Sequence, residues 1–184
     1  MSPLSLFRLH ADYGQALLTR SEGRKAAAKV KQKMLEPVNL VLDFSGVQAA
    51  TPSFLDEMCN EIDVGLRRHR DEGTVVVATH MGREVVESFE FVLERHRHSL
   101  AYTFMKSQDI ELLNAPPHLV ETLQAALELG GEFTVPDLAD FLDLPANTVN
   151  QRLTDLLQSG AVGRERDHEA ERGKRYRYHT PVVG

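Results

Sequence analysis

Val38-Asn39-Leu40-Val41-Leu42-Asp43-Phe44-Ser45-Gly46-Val47 leads, after Gln48-Ala49-Ala50, into Thr51-Pro52-Ser53-Phe54-Leu55-Asp56-Glu57-Met58. The apolar run Leu40–Leu42 does not alternate with polar residues, which predicts a central strand buried on both faces. Ser45-Gly46 marks a turn. Thr51-Pro52-Ser53 stands before a helical pattern, with Phe54, Leu55, Met58, Cys59, Ile62 and Leu66 forming a broad apolar stripe. A strand, a tight connection and a capped helix follow. A helix start carries unpaired N–H groups and the positive end of the dipole, so an anion or phosphoryl group is one possible guest. An ordinary N-cap at Thr51 or Ser53, with Asp56 and Glu57 complementing the dipole, is the other reading.

The same alternation extends in both directions. Upstream, Leu4–His10 is predicted as a half-buried strand, Gln15–Thr19 as a short strand returning as a hairpin, and Gly23–Leu35 as a helix capped by Ser21. That helix carries Arg24, Lys25, Lys29, Lys31 and Lys33 on its outer face, a solvated face or a surface for an acidic partner. Downstream, Thr74–Thr79 and Leu100–Met105 are predicted strands, with a helix over Met81–His98 between them. Ser107–Leu113 is an extra strand or a connector. The sum is an α/β domain over residues 1–113, a mixed sheet covered by helices. Asp43 is expected to accept backbone N–H bonds at the start of its loop, and Arg20 to pair with Asp43 or Glu57.

Asn114-Ala115-Pro116-Pro117 reads as a linker, because consecutive prolines continue neither a helix nor a ladder. Residues 118–184 change character. Helices are predicted at His118–Leu129, Asp137–Leu142 and Ala146–Gln158, then strands at Ala161–Arg164 and Arg175–His179 around a polar loop, Asp167–Lys174.

Composition narrows the function. The chain has 184 residues and a net charge of −6, so any nucleic-acid role requires a local basic patch. The single cysteine, Cys59, excludes an internal disulfide and suits a reducing cytoplasm. It lies on or beside the apolar stripe, a core position. No apolar run approaches the roughly 20 residues that span a bilayer. The N-terminal residues lack a basic region followed by an apolar core, so no signal peptide is expected. No phosphate-binding glycine loop, nucleophile elbow or metal-ligand spacing occurs, so neither catalysis nor a metal or other cofactor is expected. His96 and His98, beside Arg95 and Arg97, read as a solvated cationic helix end.

The C-terminal order of elements resembles a winged helix-turn-helix domain. The residues that carry the likeness are Thr134-Val135-Pro136-Asp137-Leu138-Ala139, then Leu142-Asp143-Leu144-Pro145-Ala146-Asn147-Thr148-Val149, then Arg152-Leu153 with Leu156, and Gly160-Ala161-Val162. The resemblance implies that the helix from Ala146 enters a DNA major groove. Asn147, Asn150, Gln151 and Thr154, with Thr148 beside them, share much of the face away from Val149 and Leu153, and the Asn and Gln amides suit adenine edges. Arg152 suits a guanine or a phosphate. Arg172, Lys174, Arg175 and Arg177 suit phosphates. From Ala115 on, however, seven Lys and Arg face eleven Asp and Glu, and winged helices also bind protein.

The N-terminal domain resembles the STAS-like domain family and, more distantly, the STAS fold of anti-sigma-factor antagonists. The likeness rests on Gly14, Leu17, Thr19-Arg20-Ser21, on Val41-Leu42-Asp43-Phe44-Ser45-Gly46-Val47, and on Thr51-Pro52-Ser53-Phe54 with Asp56-Glu57. In the antagonists a partner kinase phosphorylates a serine at the helix cap, and Ser53 falls at the corresponding place. Those proteins carry an Asp-Ser-Ser-Gly-Leu-Gly type sequence where this chain has Thr-Pro-Ser-Phe-Leu-Asp. Two functions are therefore expected. One is a cytoplasmic DNA-binding transcriptional regulator, dimeric because one winged helix reads only a half-site, with a sensing or partner-binding STAS-like domain. The other is a partner-switching adaptor that meets a kinase or ATPase around Arg20, Asp43, Thr51, Ser53, Asp56 and Glu57.

Overall fold

The computed structural model describes residues 2–96, 98–104, 109–167 and 176–182. Chain order begins with β1 (Leu4–Arg8), α1 (Leu9–Tyr13), β2 (Ala16–Leu17), α2 (Arg20–Lys33) and β3 (Asn39–Asp43). It continues through β4 (Ala49–Ala50), α3 (Pro52–Arg68), β5 (Val75–Met81), α4 (Arg83–His96), β6 (Leu100–Phe104) and β7 (Ile110–Leu113). The second half holds α5 (Pro117–Glu128), β8 (Glu132–Phe133), α6 (Val135–Leu142), α7 (Ala146–Gln158), β9 (Gly163–Arg166) and β10 (Tyr176–His179).

Five strands form one sheet in the order β1-β3-β5-β6-β7, parallel except for β7, which runs antiparallel to β6. Each crossover from β1 to β6 steps in the same direction. Right-handed crossovers of that kind leave their helices on one face, and the larger core cluster has that composition. Phe7, Leu40, Leu42, Val76 and Ala78 from the strands pack with Val30, Phe54, Leu55, Met58 and Phe89 from α2, α3 and α4. α2 and α3 approach so closely that a Cβ on Gly23 would lie 2.8 Å from the Phe54 carbonyl oxygen.

The opposite face of the sheet presents Val41, Val77, Ala101, Ile110 and Leu112. The second half of the chain covers it. Leu119, Leu123 and Ala126 of α5 and Val149, Leu153 and Leu156 of α7 belong to the same apolar cluster as those strand residues. α5, α6 and α7 are closed by a second sheet, β8-β10-β9, in which the Phe133 and Tyr178 rings stack at 5.7 Å.

The seam is also hydrogen-bonded. Val76 N–H donates to the Gly160 carbonyl (2.9 Å) and Gly73 N–H to that of Arg164 (3.0 Å). Asn39 Nδ2 donates to the Val182 carbonyl (3.1 Å). The Arg164 guanidinium pairs with Asp71 and lies over the Tyr176 ring at 4.2 Å. The cover stops short of the sheet edge: on β1, Leu4 and Leu6 stay 54% and 40% exposed.

Several sequence expectations change. β1 pairs parallel with β3, and β2 pairs with β4, so the expected hairpin between the first two strands does not form. Thr19 rather than Ser21 caps α2, its hydroxyl oxygen accepting the Glu22 N–H at 3.2 Å. β5 runs on through Met81, which the sequence pattern placed in the following helix. Within Ser107–Leu113, Ile110–Leu113 forms an edge strand, while Ser107 and Gln108 lie outside the described residues. Pro116 and Pro117, expected as linker, are the N-cap and first residue of α5, where a missing N–H costs nothing.

Candidate nucleic-acid interface

α6 and α7 are set by short local signals. Thr134 and Asp137 form a reciprocal capping box at the start of α6, and the Thr134 hydroxyl and N–H hold the Asp137 carboxyl below its usual range. Asp143 ends α6 in the left-handed region (φ +51°), and Pro145 caps α7. Val149, Leu153, Leu156 and Leu157 turn one face of α7 into the core. Asn147, Thr148, Asn150 and Gln151 lie on the other, all exposed. The structure thus brings four of the sequence-predicted residues together on the first two turns of one helix.

Arg152 is placed elsewhere. Its side chain is only 16% exposed, and Nη1 donates to Glu121 Oε2 (2.9 Å), Thr122 Oγ1 (3.1 Å) and the His118 carbonyl (3.3 Å). It ties α7 to α5, and its charge is already met, which corrects its assignment as a DNA contact. Arg177 on β10 is 54% exposed and lies 3.9 Å from Asp167. Arg172, Lys174 and Arg175 fall outside the described residues. A hollow of about 390 Å³ opens between Thr134, Val135 and Pro136 at the start of α6, Asn150 on α7, and Tyr176 and Tyr178 on β10.

The second candidate region surrounds the start of α3. Thr51 is its N-cap: Oγ1 accepts the Phe54 N–H (3.4 Å) and donates to the Leu18 carbonyl (2.9 Å). Ser53 is half-buried in the first turn. Asp56 and Glu57 lie beyond that turn, which contains no acid, so they do not complement the dipole as expected. Asp56 Oδ1 is instead 2.7 Å from His96 Nε2 on α4. Glu57 faces α2, at 3.4 Å from Arg20 and 3.6 Å from Arg24. The two acids tie α3 to its neighbours on either side.

Asp43 behaves as expected of a loop-start carboxylate: Oδ1 accepts the Ser45 N–H (2.9 Å) and hydroxyl (2.6 Å). His80 Nδ1 lies 3.0 Å from the same oxygen. Partial burial pushes the Asp43 carboxyl up, but Ser45 and His80 together outweigh it and hold the group below its usual range. His80 has φ +58° beside an irregularity in β5, and sequence reading missed it. The local signal, Thr79-His80-Met81, is too short to reveal a bulge.

His96 and His98 are likewise not a solvated helix end. His98 Nε2 lies 3.3 Å from Asp63 Oδ2, and that contact raises the His98 pKa above its usual value. The acids come from α3, decades of residues earlier in the chain, so spacing along the sequence hides them. Cys59 sits buried beside this cluster, where desolvation pushes its thiol up. Among the described residues no group of His, Cys, Asp or Glu side chains is arranged to hold a metal ion, and no helix is long and apolar enough to cross a membrane.

Compared with protein-family models, with curated proteins and with solved structures, the chain finds no match.

Proposed function

We propose that the chain is a DNA-binding transcriptional regulator of prokaryotic type. Its C-terminal unit acts as a winged helix-turn-helix, and its N-terminal unit acts as a STAS-like sensing, partner-binding or dimerising domain. The supporting observation is the exposed row Asn147, Thr148, Asn150 and Gln151 at the start of α7, backed by an apolar face buried against the body. Amide side chains at the leading end of a packed helix suit base edges in a major groove. Arg177 and the cations at Arg172, Lys174 and Arg175 supply phosphate contacts. Arg152 acts indirectly by holding the pose of α7. A homodimer pairs two half-sites.

The test is selection of duplex fragments from a genomic pool at low and high salt. Retained fragments, with affinity falling steeply as salt rises, support the reading. No retained fragment at low salt refutes it. Asn150→Ala with Gln151→Ala is expected to cost about 1–3 kcal/mol per lost base contact and to relax sequence preference.

One observation favours a second reading. Asp137, Asp140 and Asp143 on and after α6 are exposed beside α7, and acids repel phosphate. In that reading the same face meets a basic protein surface, and the chain is a partner-switching adaptor for a kinase or ATPase. Ser53→Asp then alters co-purification with that partner, while Arg177→Ala does not.

A further inference from the structure

A cleft of about 390 Å³ lies on the seam between the two units, away from the exposed face of α7. Asp63 and Leu66 on α3, Arg67 in its last turn, Arg70 just beyond it and His98 after α4 form one wall. Leu157 and Gln158, at the end of α7, form the other. Three separate segments therefore converge on one hollow, two from the sheet unit and one from the helical unit.

Its charge is unbalanced. Asp63 is engaged by His98 at 3.3 Å and lies 3.9 Å from His96 Nδ1. Arg67 is close enough to His98 to oppose its protonation. Neither Arg67 nor Arg70 has an ion-pair or hydrogen-bond partner among the described residues. Cations at a helix C-terminus are ordinary, because the dipole favours them. That accounts for Arg68, which does not line the cleft, whereas Arg67 and Arg70, likewise exposed, do. It does not account for guanidinium groups facing α7 across a hollow. Two carbonyls at the end of α7 are already used: Leu156 O accepts from Ala161 N–H (3.0 Å) and from the Ser159 hydroxyl (2.9 Å), and Leu157 O from Gly160 N–H (3.2 Å).

We infer that this seam cleft binds a small anionic molecule, a phosphate ester or a carboxylate, with Arg67 and Arg70 holding the anion, His98 neutralising the Asp63 carboxylate beside it, and Leu66 and Leu157 meeting its apolar part. Guanidinium groups match the planar oxygen edges of both anions, and a volume of this size accepts a metabolite. Gln158 adds an amide donor from α7. An occupant touches α3 and α7 together, so it couples the sheet unit to the helix proposed to meet DNA. The site does not depend on that DNA reading, because binding is measured on the protein alone.

The test is isothermal titration of the full chain with inorganic phosphate, AMP and citrate at constant ionic strength. Saturable one-to-one binding of at least one probe is expected. Phosphate binding as tightly as AMP assigns the site to the free anion, tighter AMP to a phosphate ester, and tighter citrate to a carboxylate. Arg67→Ala with Arg70→Ala is expected to weaken that binding about tenfold or more. Arg68→Ala with Arg83→Ala, which removes the same charge from the surface outside the cleft, is expected to leave it within about twofold. No saturable binding of any probe, or equal weakening by both double variants, overturns the inference.

Discussion

The two faces of the five-stranded sheet are covered by different means. On one face the cover is built by the crossovers themselves. Each connection between parallel strands contains a long helix, and a constant direction of stepping places α2, α3 and α4 together. On the other face nothing local is available, and α5 and α7 arrive from beyond β7 to bury Val41, Val77, Ala101, Ile110 and Leu112. A boundary that is plain in the sequence at Asn114–Pro117 is thus not a boundary in the core. The C-terminal unit is both a candidate reader of DNA and a structural lid on the sheet, and those two duties use opposite faces of α7.

The sharpest way to break this contrast is to remove the lid. A chain ending after Leu113 is expected to expose the apolar face and to aggregate or bind a hydrophobic dye, as measured by light scattering and dye fluorescence. A stable, monomeric 1–113 fragment would show that the second face needs no cover. Core truncations on the two sides come next. Phe54→Ala on the crossover side is expected to cost about 3–5 kcal/mol, and Leu123→Ala on the lid side about 2–5 kcal/mol. Because the faces share one sheet, both variants are expected to lower the same calorimetric transition. Two separable transitions would divide the molecule at the linker after all.

Smaller effects sharpen the picture of α7. Arg152→Ala is expected to cost about 1 kcal/mol, since its partner Glu121 is 60% exposed and the pair is partly screened. On the proposed DNA reading, the affinity of Arg152→Ala for DNA falls less than that of Gln151→Ala, which leaves stability unchanged. The opposite ranking in a binding titration would restore Arg152 as a direct contact.

The smallest effect is a difference in pH dependence between two histidines. Asp63 raises the His98 pKa in the folded state, so its contribution is full below the unperturbed value of about 6.5 and is lost as pH rises through the raised one. Burial lowers the pKa of His179 in β10, so its contribution is full above about 6.5 and declines as pH falls toward the lowered value. His98→Gln should flatten the alkaline side of a stability-against-pH curve, and His179→Asn the acid side. Identical curves for both variants and the unaltered chain would remove either titration from the account.

Strong periodic segments are legible in the sequence alone. The unbroken run at Leu40–Leu42, the apolar stripe from Phe54 to Leu66 and the pattern Val149, Leu153, Leu156 all occupy the elements and faces expected. The exposed row on α7 is legible for the same reason, since helical period puts Asn147 and Gln151 opposite Val149 and Leu153, with Asn150 on the flank. Partnership between charges was not legible. In sequence Arg152 reads as a contact to a guanine or a phosphate, and Asp56 and Glu57 read as dipole partners, because the groups that claim them lie on other elements.

The sequence by itself determined where the long strands and helices lie, which side of each is apolar, and where the chain changes character near Pro116, but not the short elements α1, β4 and β8. Those properties depend on neighbours within a few residues, where period, caps and prolines act directly. Only the tertiary structure decided the pairing of β1 with β3, the use of the C-terminal unit as the sheet's second cover, and the meeting of Arg67, Arg70 and His98 with the end of α7. Each of these joins residues far apart in the chain, and long-range contacts are selected by the burial of whole faces, which no local pattern encodes.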